Sequence, residues 1–240
     1  KGYVTFTFDC EGKWGMLDHP KDWNYKLSKK NLESAYEFIL TELHKNNIPA
    51  TFAFVGAFTE TQEYFLENSM GKLTSGSHSS WLSHCRDKIF NKDEEGWFEP
   101  DLLNKVRESG IHEIATHGYT HIPFDRLDKK SAKIELNLIK EWSDRKHLKC
   151  STMVFPRNII GHHEFLKDYE ILGFRDLPDN ISTRRIPKPI KTLLDELSVL
   201  KKSQQIEEFE PVRIPGGIFI NWRHGYRKYI PSSVSLRKYK

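Results

Sequence analysis

Asp9 and Glu11 stand two residues apart in Thr7-Phe8-Asp9-Cys10-Glu11, at the end of a β-branched and aromatic run. Carboxylates this close raise one of the two pKa values unless a cation intervenes, and a metal ion would supply that cation. A second constellation is His117-Gly118-Tyr119-Thr120-His121. Spacing of i, i+4 sets two imidazoles on one side of a helical turn, which suits a divalent metal. With 11 histidines in 240 residues, random placement gives about half such a pair, so the spacing alone is a weak signal. Its position just after a predicted strand strengthens it. A third group is Phe155-Pro156-Arg157-Asn158, where the arginine could hold a strand-end carboxylate by a bidentate bond. Two imidazoles and one carboxylate leave one position of a tetrahedral metal open, the arrangement of a catalytic zinc site with water as fourth ligand. A free carboxylate beside such a site points to hydrolysis. These residue types do not by themselves say whether Asp9 or Glu11 is the base.

Such groups need elements to bring them together. Apolar and β-branched runs predict strands over 3–8, 50–55, 111–116, 152–155, 174–177, 212–214 and 218–222. The i, i+3, i+4, i+7 pattern predicts a helix over 32–43, and further helices fall near 100–110, 131–145, 164–172 and 191–201. Thr59 with Gln62 reads as a capping box for a short helix. Residues 70–97 read as a long surface excursion, and His78, His84, His112, His162 and His163 as loop or surface residues. Alternating strands and helices imply βαβ units and a parallel sheet. A doubly wound sheet and a barrel both satisfy the pattern, and in either one functional groups collect at the C-terminal strand ends.

Composition restricts the class further. The formal charge is +4, with 38% apolar, 12% aromatic and 29% charged residues, the profile of a soluble globular domain spanning 1–240. No run is long and apolar enough for a membrane span, and no signal segment opens the chain. It begins directly in a strand-like run, which predicts a trimmed N-terminus. Positive charge is densest at Arg184-Arg185 and over 223–240, without a recognition motif, so nucleic acid is set aside as a partner. The three cysteines, Cys10, Cys85 and Cys150, are odd in number and far apart, which fits a reducing, cytoplasmic setting.

The same residues resemble the NodB-homology polysaccharide deacetylases, carbohydrate esterase family four. Thr7-Phe8-Asp9-Cys10-Glu11 resembles the family's Thr-Phe-Asp-Asp motif in an Asp-x-Glu variant. His117 to His121 resembles its His-(Ser/Thr)-x-x-His motif, with Gly118 in place of the hydroxyl residue. Ile48 to Gly56 is similar to its second-strand signature, and Gly110 to Ala115 to the approach to the histidines. Phe155-Pro156-Arg157-Asn158 approximates the third motif in inverted order, and Asp176-Leu177-Pro178-Asp179 faintly echoes the fourth. The Asp-x-Glu form followed by Gly12-Lys13-Trp14-Gly15 is similar to a branch found with O-antigen and surface-polysaccharide synthesis.

The resemblance implies a single-domain α/β fold, a distorted (β/α)7 barrel. It implies hydrolytic removal of N-acetyl or O-acetyl groups from an acetamido sugar or surface polysaccharide. It makes Glu11, His117 and His121 ligands of a divalent metal, zinc by preference, although cobalt and nickel also suit them. Asp9 becomes the general base, Arg157 the residue that aims it, and the Tyr119 backbone N–H an oxyanion donor. Trp14, Trp81 and Trp222 are candidates for stacking on sugar rings. No copy of the fifth motif, Leu-x-x-His, is present, and His224 is the only late histidine. Either the acid lies beyond Lys240, or another group serves, or activity is lost. A hydrolase of another amide or ester, such as a ureide or cyclic amide, and a catalytically degenerate carbohydrate-binding domain stand as alternatives.

Overall fold

Among the described residues, each strand lies parallel to the one before it in the chain and beside it. The computed structural model describes residues 5–17, 24–83, 86, 89, 95–176, 211–214 and 216. Its strands are β1 (Thr7–Cys10), β2 (Thr51–Phe54), β3 (Glu113–Thr116), β4 (Thr152–Val154), β5 (Gly173–Arg175) and β6 (Val212–Ile214). All pairings are parallel, and the six strands lie in the sheet in chain order. A doubly wound sheet reverses its order at a switch point, whereas a barrel does not. The sheet is therefore a curled half-barrel with helices, the architecture of a distorted (β/α) barrel. The predicted helix over 191–201 and strand over 218–222 lie outside the described residues.

The helices begin where side chains cap them. Ser28 accepts the Asn31 N–H at the start of α1 (Lys29–Lys45). Asn47, in the left-handed region, ends that helix before Pro49. Following α2 (Gly76–Leu82), Pro100 opens α3 (Pro100–Glu108). Asp128 accepts the Ser131 N–H at 2.8 Å to start α4 (Lys129–Arg145). The expected Thr59 cap is corrected by two residues. Thr61 accepts the Tyr64 N–H instead, while Thr59 Oγ1 donates to the Gly56 carbonyl and accepts from the Trp142 indole. The helix expected over 164–172 is a 3-10 helix, His163–Tyr169.

Among the described residues, the stretch expected as a surface excursion is exposed over much of its length but sends several large side chains inward. Trp81, Leu82, Ile89, Trp97 and Phe98 are all buried in the main core. They come as two adjacent pairs and a single isoleucine, with Phe98 just past the expected stretch, so no periodic face announces them. Fully burying side chains of this size is worth about 2–3 kcal/mol each.

Strand alternation sorts the two faces of the sheet. Asp9 aligns with Ala53 and Ala53 with Ala115, and the small residues Ala53, Ala115 and Val154 form a patch separate from the main core. Cys10, between the two carboxylates in sequence, is buried in the main core with Phe54 and Met153. Burial pushes its thiol far above the ordinary range, and Cys150 is likewise pushed up to about 12. Both are free thiols that stay protonated and unreactive at neutral pH. Among the described residues, no helix is long and apolar enough to cross a membrane.

Candidate metal centre and active site

Three strand ends meet at one carboxylate-imidazole cluster and its flanking ion pair. Glu11 follows β1, His117 follows β3, and His121 closes the five-residue turn after it. Glu11 Oε2 lies 3.2 Å from His117 Nε2 and 2.8 Å from His121 Nε2. One ligand atom from each of the three residues falls within 4.8 Å of the others. Both imidazoles are buried, with ring centroids 4.9 Å apart.

The hydrogen bonds say what belongs among these atoms. His117 Nδ1 lies 2.7 Å from the Val154 carbonyl, which can only accept, so the proton sits on Nδ1. The lone pair of Nε2 therefore faces the Glu11 carboxylate, another acceptor. Nδ1 of buried His121 has no hydrogen-bond partner among the described residues, and its Nε2 faces only the Glu11 carboxylate at 2.8 Å. Converging lone pairs in a buried place call for a cation between them, and a carboxylate with two imidazoles suits a divalent metal. Burial alone would raise the Glu11 carboxyl, but His121 and His117 outweigh it and hold the group well below the usual carboxylate range. For His117, burial opposes the charge, but the bond to Glu11 and the nearby Asp9 charge prevail and raise it. Burial lowers His121, with His117 and Arg157 acting in the same direction.

The backbone of this turn is unusual. Gly118 has φ +81° and His121 has φ +60°. Gly118 replaces the family's hydroxyl residue where a Cβ would be strained and would also lie 3.1 Å from Pro156 Cγ. His121 bears the left-handed conformation with a side chain attached, at a cost of about 1–2 kcal/mol.

Asp9 is held by Arg175, not by the expected Arg157. Arg175 Nη2 donates to Asp9 Oδ2 at 2.9 Å, and Nη1 lies 2.9 Å from Oδ1. Asn158 Oδ1 accepts from Arg175 Nε at 3.1 Å and from Nη2 at 2.8 Å, fixing the guanidinium from behind. Arg157 instead donates from Nη2 to the Gly15 carbonyl at 2.9 Å, steadying the turn that carries Glu11. Arg157 and Asn158 are both left-handed, φ +60° and +55°, which turns consecutive side chains to different tasks. Arg175 is the last residue of β5 but falls inside the strand predicted over 174–177, so the expected strand end did not point to it.

Other expected site residues are corrected too. The Tyr119 N–H is already committed, donating to Glu135 Oε1 at 2.8 Å, and the Tyr119 hydroxyl pairs with Ser69 at 2.5 Å. It is therefore no oxyanion donor. Trp14 is fully buried, donates to the Trp97 carbonyl at 2.7 Å and packs edge-on against Trp97, Phe65 and Phe98. Trp81 is buried and donates to the Thr120 carbonyl at 2.9 Å. Neither presents a face for a sugar, because both indole rings fill core and spend their N–H there. Trp222 lies outside the described residues. His78, expected at the surface, is fully buried against Glu135.

Gly15 is required by close approach. A Cβ there would collide with the Glu11 carboxylate and its Cγ. Gly15→Ala should therefore displace Glu11 and weaken zinc binding by about tenfold or more, measured by competition with a chromogenic chelator. An unchanged affinity would contradict the placement of Glu11.

A parallel barrel sheet thus carries a carboxylate–imidazole cluster of three possible metal donors and an arginine-held carboxylate at its C-terminal strand ends. The chain belongs to the polysaccharide deacetylase family, whose model matches residues 1–158. The family is generally metal-dependent, which the Glu11, His117, His121 cluster accommodates. No curated protein sequence matches the chain. Among solved structures, a Mycobacterium smegmatis protein described as a polysaccharide deacetylase aligns with TM-score 0.47 at 19% identity, covering 73% of this chain. This chain spans 51% of that protein's length. A de-N-acetylase from Aggregatibacter actinomycetemcomitans aligns with TM-score 0.44 at 15% identity, covering 74% of this chain and 64% of its own. A structure described as T48 deacetylase with substrate aligns with TM-score 0.41 at 17% identity, covering 98% and 84%.

Proposed function

We propose that this chain hydrolyses the N-acetyl group of an acetamido sugar in a surface polysaccharide or its precursor. The observation that supports this most is the convergence of Glu11, His117 and His121 beside the Asp9–Arg175 pair. Glu11, His117 and His121 would hold a divalent ion, zinc by the softness of the donor set. Such an ion, when bound, lowers the pKa of water and polarises an amide carbonyl. Asp9 takes the proton of the attacking water as the water oxygen bonds to the acetyl carbon; the carbon–nitrogen bond then breaks as the departing nitrogen takes up that proton, leaving acetate and a free amine. Arg175 holds the Asp9 carboxylate in place, and Asn158 keeps Arg175 in place. Val154 fixes the His117 tautomer so that Nε2 faces the centre. Arg157 and Gly15 set the turn from which Glu11 reaches in.

The test is acetate release from N-acetylated oligosaccharides and nucleotide-sugars by the purified chain. Activity should vanish after dialysis against a chelator and return with zinc. A chain that binds metal but releases acetate from none of these substrates would overturn the assignment.

A further inference from the structure

Glu135 does work that the proposed mechanism leaves unassigned. It lies on α4 and is fully buried, where a carboxylate is costly unless its oxygens are bonded. They are. Oε1 accepts the Tyr119 N–H at 2.8 Å, the Thr120 N–H at 2.7 Å and the Thr120 hydroxyl at 3.2 Å. Oε2 lies 3.1 Å from the Thr120 hydroxyl and 2.9 Å from His78 Nε2. All these partners except His78 belong to the turn between the two imidazoles.

Two consecutive amides converging on one oxygen form an anion-holding nest, here filled by a side chain of the same protein. The carbonyls of the turn are tied to the other side, Gly118 O accepting from Gly56 N–H and Tyr119 O from Ala57 N–H, both at 2.9 Å. The turn is thus clamped between the end of β2 and α4, and the next residue is the left-handed His121. A strained conformation persists only where its surroundings over-determine it.

We propose that Glu135, held by His78, is a positioning residue for the metal centre. It locks the turn so that His121 returns to face His117 and Glu11. This rests on the metal-site reading above, and its test separates the two. Zinc affinity of the full chain would be measured by chelator competition for wild type, Glu135→Gln and Glu135→Leu. Gln keeps the shape and an acceptor but loses the charge that strengthens these bonds, so its dissociation constant should rise by about tenfold. Leu leaves both amides unpaired and should lose more. In metal-free protein, hydrogen exchange at the Tyr119 and Thr120 amides should speed up in Glu135→Gln while the β2 and β3 amides stay protected.

Zinc affinity of Glu135→Gln within twofold of wild type, with only the melting temperature lowered, would overturn the positioning role. If Leu does not fold, Gln decides. If wild type binds no zinc, the metal reading falls, and unchanged Tyr119 and Thr120 exchange would then refute the clamp independently.

Discussion

His117→Ala should empty the metal centre. His117 contributes one of the three donors, and its ring is held by the Val154 carbonyl at 2.7 Å. The substitution leaves Glu11 and His121 as a two-donor site in a buried place, and the expected loss of zinc affinity exceeds about 100-fold, beyond what outer-shell changes produce. Elemental analysis of purified protein reads this directly, and acetate release should fall to background with it. Glu11 would also lose a partner that holds its carboxyl below the usual range. Metal content surviving His117→Ala would place the centre elsewhere.

Asp9→Asn should have the second large effect, of another kind. The amide keeps the shape of the carboxylate but cannot take a proton from water. Loss of a general base lowers turnover by about 10²–10⁴-fold. Zinc content should be unchanged, because Asp9 is not among the three donors. Arg175 then loses its ionic partner, although Asn158 still accepts from it. The pair is partly exposed, at 20% for Asp9 and 13% for Arg175, so the stability cost should be about 1–2 kcal/mol, less than for a fully buried pair. Turnover, metal content and melting temperature measured on one preparation separate these effects. Near-wild-type turnover with zinc bound would mean that Asp9 is not the base.

The residues that gather at the candidate site were legible because each is local to a strand end. Asp9 and Glu11 follow one β run, and His117 and His121 share one turn, so type, spacing and the strand-end rule sufficed. The parallel fold class followed from the alternation of elements for the same reason. What eluded the reading are partners far apart in sequence. Arg175 reaches Asp9 across 166 residues, and Arg157 reaches Gly15 across 142. Pattern put an arginine near the carboxylate but chose the wrong one, since two strand ends each offered one. Trp14 and Trp81 misled because an aromatic near a motif reads alike whether it lines a cleft or fills the core.

The sequence by itself determined which residue types could make a metal-dependent hydrolytic site, and that parallel strands would deliver them to a common rim. Short-range physics carries that information: strand period, helix period and the reach of a turn. Only the tertiary structure decided that the sheet keeps chain order as a barrel, that Arg175 rather than Arg157 holds Asp9, and that the Tyr119 amide serves Glu135. Those outcomes depend on which distant side chains share a buried space, where each polar group must find a partner or remain unsatisfied at a cost of about 1–3 kcal/mol. That competition for partners is settled by packing, and no spacing rule along the chain encodes it.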